Sequence, residues 1–309
     1  VSLGAALQGL GLVPLLEEPL ARHGYWRIGG PAEALVEVGR LDQLAAVLAL
    51  GAPVTLLGNG SNSLIPDEGL RGVVIKLGGV FKQSEIVEEA GEPVVLAGAG
   101  LLNAVLLRRI DVAGLGGLAP LAGVPGTVGG AVRMNAGTVL GEIGAAVARV
   151  HLLLSSGEVA ILPAEALGFS YRHAHLPPGA LITRVDLRLR REGLEAERAA
   201  IAHHLGRRKA TQPLELPSCG SVFKNPPGDY AGRLIESVGL RGHAIGGARI
   251  SERHCNFIVN EGGARADEVV ALIALARQRV WEATGVRLEP EVHVLGPRSP
   301  WPPPIAGDP

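Results

Sequence analysis

Apolar positions recur at helical spacing in LDQLAAVLAL (41–50) and LLNAVLLRRIDVAG (101–114), and form compact runs in AEALVEV (32–38), PVTLLG (53–58), GVVIKL (72–77) and PVVLAGAG (93–100). The first two predict helices and the other four predict strands, in mixed order. The opening stretch up to His23 predicts a short amphipathic helix. It has no basic leader, and Glu17 and Glu18 interrupt it before a membrane-spanning length is reached, so neither a signal segment nor a span is expected there. Between 145 and 190 three strand candidates follow, AVARVHLLL, EVAILP and ALITRVDLRLR, the last alternating in the manner of a half-buried strand. LEAERAAIAHHLGRRKA (194–210) reads as an exposed helix whose basic end suits the helix dipole.

Past Gln212-Pro213 the texture changes. A helix carrying Ala231, Leu234, Ile235 and Val238 on one face, a strand NFIVN (256–260), a long helix from Ala266 to about Thr284 and a final strand VRLEPEVHVLG predict a separate α+β unit. Residues 297–309 are proline-rich and are expected to be disordered, because proline removes backbone donors. No repeat period appears.

Composition narrows the function. A chain of 309 residues allows about two domains of roughly 150 residues each. A formal charge of -1 gives no general attraction to nucleic acid or to an anionic membrane, so neither is expected as a partner. Cys219 and Cys255 are the two cysteines and supply no disulfide framework or zinc knuckle, which fits a reducing cytoplasm. His203 and His204 are adjacent on a helix, and His173 and His175 lack a nearby carboxylate pair, so no metal is expected. Forty-four glycines without a Gly-X-Y period imply backbone that something approaches closely.

Five segments carry candidate chemistry. Gly58-Asn59-Gly60-Ser61-Asn62-Ser63 follows a strand directly, and backbone N–H groups in such a turn can converge on a diphosphate, although Asn-Gly is also a hairpin signal. It matches neither GxGxxG nor GxxxxGK[ST]. The stretch from Leu121 to Gly137 places Val124, Pro125, Gly126, Thr127, Gly129, Gly130, Asn135 and Ala136 where a flat ring or a diphosphate can lie on main chain, with Thr127 and Asn135 as polar anchors. Tyr171-Arg172 is the third segment; a lone arginine is most often solvated. The fourth runs from Pro217 to Pro226 and joins the Ser221 hydroxyl, the Lys224 ammonium and the Asn225 carboxamide, a set suited to an anionic substrate or to a polar surface loop. Phe223 stands where a GxSxG elbow needs glycine, so a serine hydrolase is unsupported. Last, Leu288-Glu-Pro-Glu-Val292 sets Glu291 in an apolar run, either as an acid with a raised pKa or as an edge-strand carboxylate.

In this order, GNGSN, GVPGTVGGAVRMNAG, YRHA, GSVFKNP, AGRLIESVGLRG, GGARIS, NFIVN and LEPEV resemble segments of the UDP-N-acetylenolpyruvoylglucosamine reductase (MurB) family, from about Trp26 to Gly296. The short connection between Arg172 and GSVFKNP resembles the compact type without substrate-domain insertions. The resemblance implies an α+β fold: an FAD-binding fold of the vanillyl-alcohol-oxidase (PCMH) type in two subdomains, 1–70 and 71–212, then a C-terminal α+β substrate domain, 213–296. FAD would be held non-covalently by Gly58, Asn59, Gly60, Ser61 and Asn62, by Val124, Pro125, Gly126, Thr127, Gly129, Gly130, Asn135, Ala136 and Gly137, and by Arg172 against the flavin. The implied reaction takes hydride from NADPH to FAD and from flavin N5 to the methylene of UDP-N-acetylglucosamine enolpyruvate, forming UDP-N-acetylmuramate for peptidoglycan. By resemblance, Arg172 and Glu291 stabilise the enolate-like charge and Ser221 donates the proton, while Tyr171, Lys224 and Asn225 bind substrate. A cytoplasmic monomer is expected.

Three departures from the family pattern stand out. Gly24-Tyr25 replaces hydroxyl residues, Cys219 and Cys255 stand where small residues are usual and read as packing groups, and Thr138-Val-Leu-Gly141 replaces Ala-Tyr-Gly. An FAD-dependent alcohol or lactone oxidase of the same fold, or a flavin-free sugar-nucleotide-binding module, are the other readings open to the sequence.

Overall fold

The computed structural model describes residues 2–296 and 301–306. The chain packs into two compact units. The first takes in residues up to Leu15, 34–59 and 73–207; the second takes in Leu16–Glu33, Gly60–Gly72 and the chain from Arg208 onward.

In the first unit, the three strands expected between 145 and 190 form as Val147–Leu153, Val159–Pro163 and Leu181–Arg188. With Glu92–Gly98 and Ser84–Glu89 they make a five-stranded antiparallel sheet, in which Leu181–Arg188 lies between Val147–Leu153 and Glu92–Gly98. The Ser84–Glu89 strand escapes the periodicity reading because Glu85, Glu88 and Glu89 leave it only two apolar residues; it is an edge, where charge discourages further pairing. A parallel pair sets Val54–Leu56 beside Val73–Ile75. Leu44 and Val47 of the helix Leu41–Leu48, and Leu106 and Ile110 of the helix Asn103–Val112, turn their apolar stripes into one core with Val36, Ile75, Val150, Val185 and Leu187. The glycine-rich stretch holds a short helix, Val128–Arg133, that no hydrophobic period announces. It forms because Thr127 caps it and because Gly129 can lie directly on Ala99, where a Cβ would stand 2.8 Å from that of Ala99.

The second unit assembles one core from three stretches of chain: Trp26 and Ile28, then Leu64, then Phe223, Leu234, Ile235, Ile258, Leu272, Ile273 and Val292. Trp26 is its anchor. Its indole N–H donates to the Ile258 carbonyl at 2.7 Å, and the Asn260 amide donates to the Trp26 carbonyl at 2.8 Å, so a large buried ring has its polar handle satisfied. Ala244–Ile245, Ala248–Ile250 and Ile258–Asn260 form a small antiparallel sheet beside the helix Ala266–Thr284, which ends on Gly285 at φ 70.

The strand expected through 286–296 is broken. Pro290 has no N–H, and two backbone bonds, Lys224 N–H to Glu289 O and Glu291 N–H to Val222 O, link this stretch to 222–224; regular pairing resumes at His293–Val294, parallel to Ser63–Leu64. Within the tail expected to be disordered, residues 301–306 lie against the long helix: Ile305 is 5 % exposed and the Gln278 side chain accepts from Ala306 N–H at 2.8 Å. An apolar side chain and a side-chain amide hold it where backbone donors are scarce. Residues 297–300 and 307–309 lie outside the described residues.

Candidate active site

In the first unit two of the motifs meet. Past Val54–Leu56 the chain reaches Gly58, whose missing Cβ would stand 3.0 Å from the Thr127 hydroxyl. Thr127 opens the helix Val128–Arg133, its hydroxyl accepting from Gly130 N–H at 3.4 Å. The next two amides are already taken: Val128 N–H donates to Leu101 O at 2.8 Å and Gly129 N–H to Ala99 O at 2.9 Å. The preceding arch is gripped by Asn103, a buried residue whose backbone N–H donates to Gly126 O at 3.0 Å and whose side-chain amide donates to Val124 O at 3.3 Å. Gly126 holds φ 123, open only to glycine. Among the described residues no acceptor meets the amides of Gly58 or Gly126. Backbone donors on side-chain-free chain are what a diphosphate takes, so the arch is suited to such an anion. The other glycines answer to the protein: Gly129 to Ala99, and Gly137 to the backbone of Gly141 and Glu142.

Beyond that helix, Asn135 is buried at φ 40. Both of its amide hydrogens are used within the protein, toward Glu142 Oε2 at 2.7 Å and Ser170 O at 2.9 Å, and its carbonyl accepts from Gly144 N–H at 3.0 Å. It braces the loop, leaving at most a carbonyl lone pair for a ligand. Ala136 and Gly137 follow, Gly137 pairing with Glu142 in a two-residue hairpin. Tyr171 and Arg172 occupy the tip of a tight turn in which the Ser170 and His173 backbones exchange two hydrogen bonds of 3.0 Å. Arg172 sits at φ 58, and its guanidinium donates to Gly137 O at 3.3 Å and lies 4.8 Å over the ring of Tyr171, itself 46 % exposed. A non-glycine residue in the left-handed region is kept there by its surroundings, as it is at four other positions among the described residues.

In the second unit Gly60, Ser61 and Asn62 belong to a different setting from Gly58 and Asn59. Gly60 has φ 62 and packs on the turn at His23, whose carbonyl would lie 2.5 Å from any Cβ; its carbonyl accepts from Tyr25 N–H at 3.1 Å and from the Cys219 thiol at 3.5 Å. Gly24-Tyr25 is therefore part of this loop's packing. The Asn62 side chain donates to Glu291 O at 3.0 Å, and Asn62 O accepts from His293 N–H at 3.0 Å, so this asparagine holds the backbone of Glu291. Ser221 follows Gly220 at φ 76 and leads a segment fixed on both sides. On one side Asn256 takes Val222 N–H on its backbone carbonyl and forms a double side-chain pair with Phe223, at 2.9 and 2.8 Å; on the other stand Glu289 and Glu291. The Ser221 hydroxyl has no hydrogen-bond partner among the described residues. Lys224 pairs with Glu289 at 2.5 Å, and the Asn225 side-chain Oδ1 accepts from Ala231 N–H at 3.1 Å at the start of the helix Ala231–Ser237.

Asn103, Asn256 and Glu142 were missed by sequence reasoning. For Asn103 and Asn256 the available signal was an amide in an apolar setting, which burial obliges to find partners; Glu142, 35 % exposed, gives no such signal. Burial pushes the Cys219 thiol up to about 12, and raises Cys255 in the same direction; both are buried and free, consistent with packing groups. Among the described residues no three His, Cys, Asp or Glu side chains gather as metal ligands, and no helix is long and apolar enough to cross a membrane.

Comparison with known proteins adds identity to this geometry. Residues 212–295 match the UDP-N-acetylenolpyruvoylglucosamine reductase C-terminal domain, and residues 32–162 match an FAD binding domain. The UDP-N-acetylenolpyruvoylglucosamine reductase of Anaeromyxobacter dehalogenans (strain 2CP-C) is 47 % identical over 286 residues, covering 91 % of this chain and 85 % of its own. That of Moorella thermoacetica is 44 % identical over 297 residues, covering 95 % and 97 %. The crystal structure of the reductase (MurB) from Thermus caldophilus superposes with a TM-score of 0.79 at 41 % identity, covering 92 % of this chain and 99 % of that one. The α+β architecture is thus an FAD-binding fold followed by the reductase's own C-terminal domain, and the chain belongs to the UDP-N-acetylenolpyruvoylglucosamine reductase family.

Proposed function

We propose that this chain reduces UDP-N-acetylglucosamine enolpyruvate to UDP-N-acetylmuramate for peptidoglycan, with Arg172, Ser221 and Glu291 as the side chains that meet the reacting group. When bound, FAD supplies the hydride, which NADPH furnishes. The residues that would hold its phosphates are Gly58, Asn59, Gly126 and Thr127, with Val124, Pro125, Ala136 and Gly137 beside them. Gly60, Ser61 and Asn62 join this set in the sequence reading, and Gly129, Gly130 and Asn135 support it by shaping the backbone. Residues 1–70 and 71–212 serve as the two flavin-binding subdomains and 213–296 as the substrate domain. The oxidase and flavin-free readings lose their footing, because the C-terminal match is to the reductase itself.

Addition of hydride to the enolpyruvyl methylene puts negative charge on the adjacent carbon and its carboxylate. Arg172 is fit to receive it, since a guanidinium is always charged and offers a planar pair of donors to a carboxylate. Glu291, its backbone held by Asn62, adds a proton-bearing donor to the same charge. Ser221 delivers the proton to carbon. The observation that carries this reading is the Ser221 hydroxyl itself: the three residues that follow it, Val222 to Lys224, are braced on both sides while the hydroxyl makes no bond among the described residues, which is how a donor awaiting substrate is held. Lys224 is paired with Glu289, so its part is to steer the anionic substrate, with Tyr171 and Asn225 as further contacts. The chain acts as a cytoplasmic monomer without nucleic-acid or membrane partners.

Ser221→Ala tests the assignment in the FAD-loaded enzyme. Reduction by NADPH keeps its rate, while the step that consumes the enolpyruvyl substrate slows by about 100-fold or more, because only that step needs the proton. Equal slowing of both steps would overturn the assignment.

A further inference from the structure

The turn that carries Arg172 is braced by one carboxylate that the reaction scheme does not use. Glu142 sits on the strand of the hairpin that faces Gly137. One of its oxygens accepts from the Asn135 amide at 2.7 Å; the other lies 3.8 Å from the Arg172 guanidinium. Asn135 also donates to Ser170 O, the first residue of the Arg172 turn, and Arg172 donates to Gly137 O, the residue opposite Glu142. Glu142 is therefore a point where two restraints on the arginine meet: one runs through Asn135 to the turn's backbone, the other acts on the guanidinium directly. Two of the residues involved, Asn135 and Arg172, hold positive φ, at 40 and 58. Such conformations persist only where the surroundings over-determine them.

The stabilising contact of this carboxylate is its bond to the buried Asn135 amide, which a glutamine oxygen can keep; the ion pair to Arg172 is not explained by stability. The Glu142 side chain is 35 % exposed and that of Arg172 17 %, and an ion pair at 3.8 Å with that much water contact adds little to folding. What it supplies is direction. A guanidinium on a turn tip has many rotamers, and a fixed anion on one side, with the Gly137 carbonyl beside it, restricts which of its donors remain for a substrate carboxylate.

We propose that Glu142 is a positioning residue: through its charge, and through Asn135, it aims the Arg172 guanidinium at the substrate carboxylate. The inference rests on the reading of Arg172 given above. Four variants of the FAD-loaded enzyme separate the two: Glu142→Gln, Glu142→Asp, Arg172→Ala and the double variant Glu142→Gln/Arg172→Ala. Glutamine keeps an oxygen for Asn135 and removes the charge. In Glu142→Gln, reduction by NADPH stays within about twofold, while the enolpyruvyl step slows by about 10-fold, seen in kcat more than in KM. Glu142→Asp recovers part of that loss, and the melting temperature of the FAD-free Glu142→Gln chain stays close to that of the parent. In the Arg172→Ala background the same Glu142→Gln change adds less than about twofold, since residues acting as one unit are not additive. Full activity in Glu142→Gln, or an equal slowing in both backgrounds, would overturn the inference while leaving the role of Arg172 intact. An Arg172→Ala enzyme with an unimpaired enolpyruvyl step would overturn the reading of Arg172 itself, and this inference with it.

Discussion

Single residues show most clearly how burial sets chemistry in this chain. Burial pushes the Cys219 thiol up to about 12, against 9.0 for a free thiol, so the folded chain keeps a proton that the unfolded chain gives up. Its contribution to stability is complete below about 9 and is lost as pH rises toward about 12, at up to about 1.4 kcal/mol per pH unit. Urea unfolding followed from neutral pH to alkaline pH should show that decline, and Cys219→Ala should flatten it. An unchanged slope in Cys219→Ala would mean that other groups govern the alkaline limit. The other polar residues obey the same rule. Asn103, Asn135, Asn256 and Asn260 are buried amides, and each donates to at least one backbone carbonyl. None of those pairings could be read from sequence, because each joins residues far apart in the chain.

Among elements, the segment that carries Ser221 depends on its neighbours. It has no long ladder of its own, and Asn256 stands in for one by matching both the N–H and the C=O of Phe223. Asn256→Leu leaves both buried groups unpaired and should cost about 2–4 kcal/mol in unfolding free energy, and the enolpyruvyl step should slow while reduction by NADPH does not. A variant as stable as the parent would show that water or a repacked side chain replaces the amide. Elements with strong periods were legible from the start: the helices 41–50, 101–114 and 194–210 and the three strands between 145 and 190 all form close to the expected spans. The ones that eluded the pattern have physical reasons. The Val128–Arg133 helix owes its place to glycine packing, the Ser84–Glu89 strand is a charged edge, and the 286–296 stretch is cut by Pro290. Periodicity reports a buried face only when it repeats over enough residues, and none of these three offers a long enough repeat.

For the whole molecule, packing joins stretches that are far apart in the chain. Residues 16–33 and 60–72 pack with the C-terminal stretch, and Trp26 and Leu64 lie in its core. Composition gave no hint of this, since the contacts concerned span most of the chain. The glycine clusters were legible as sites of close approach, yet the structure divides them: the amides of Gly58 and Gly126 meet no acceptor among the described residues, whereas Gly60, Gly129 and Gly137 make room for protein. The account turns on those donors holding FAD for a sugar-nucleotide reductase. The direct test is the visible flavin absorption of the purified, FAD-loaded protein under anaerobic conditions. NADPH should bleach the band and UDP-N-acetylglucosamine enolpyruvate should then restore it. A protein that takes up no FAD, or whose bleached band is restored by oxygen but not by the sugar nucleotide, would contradict the account.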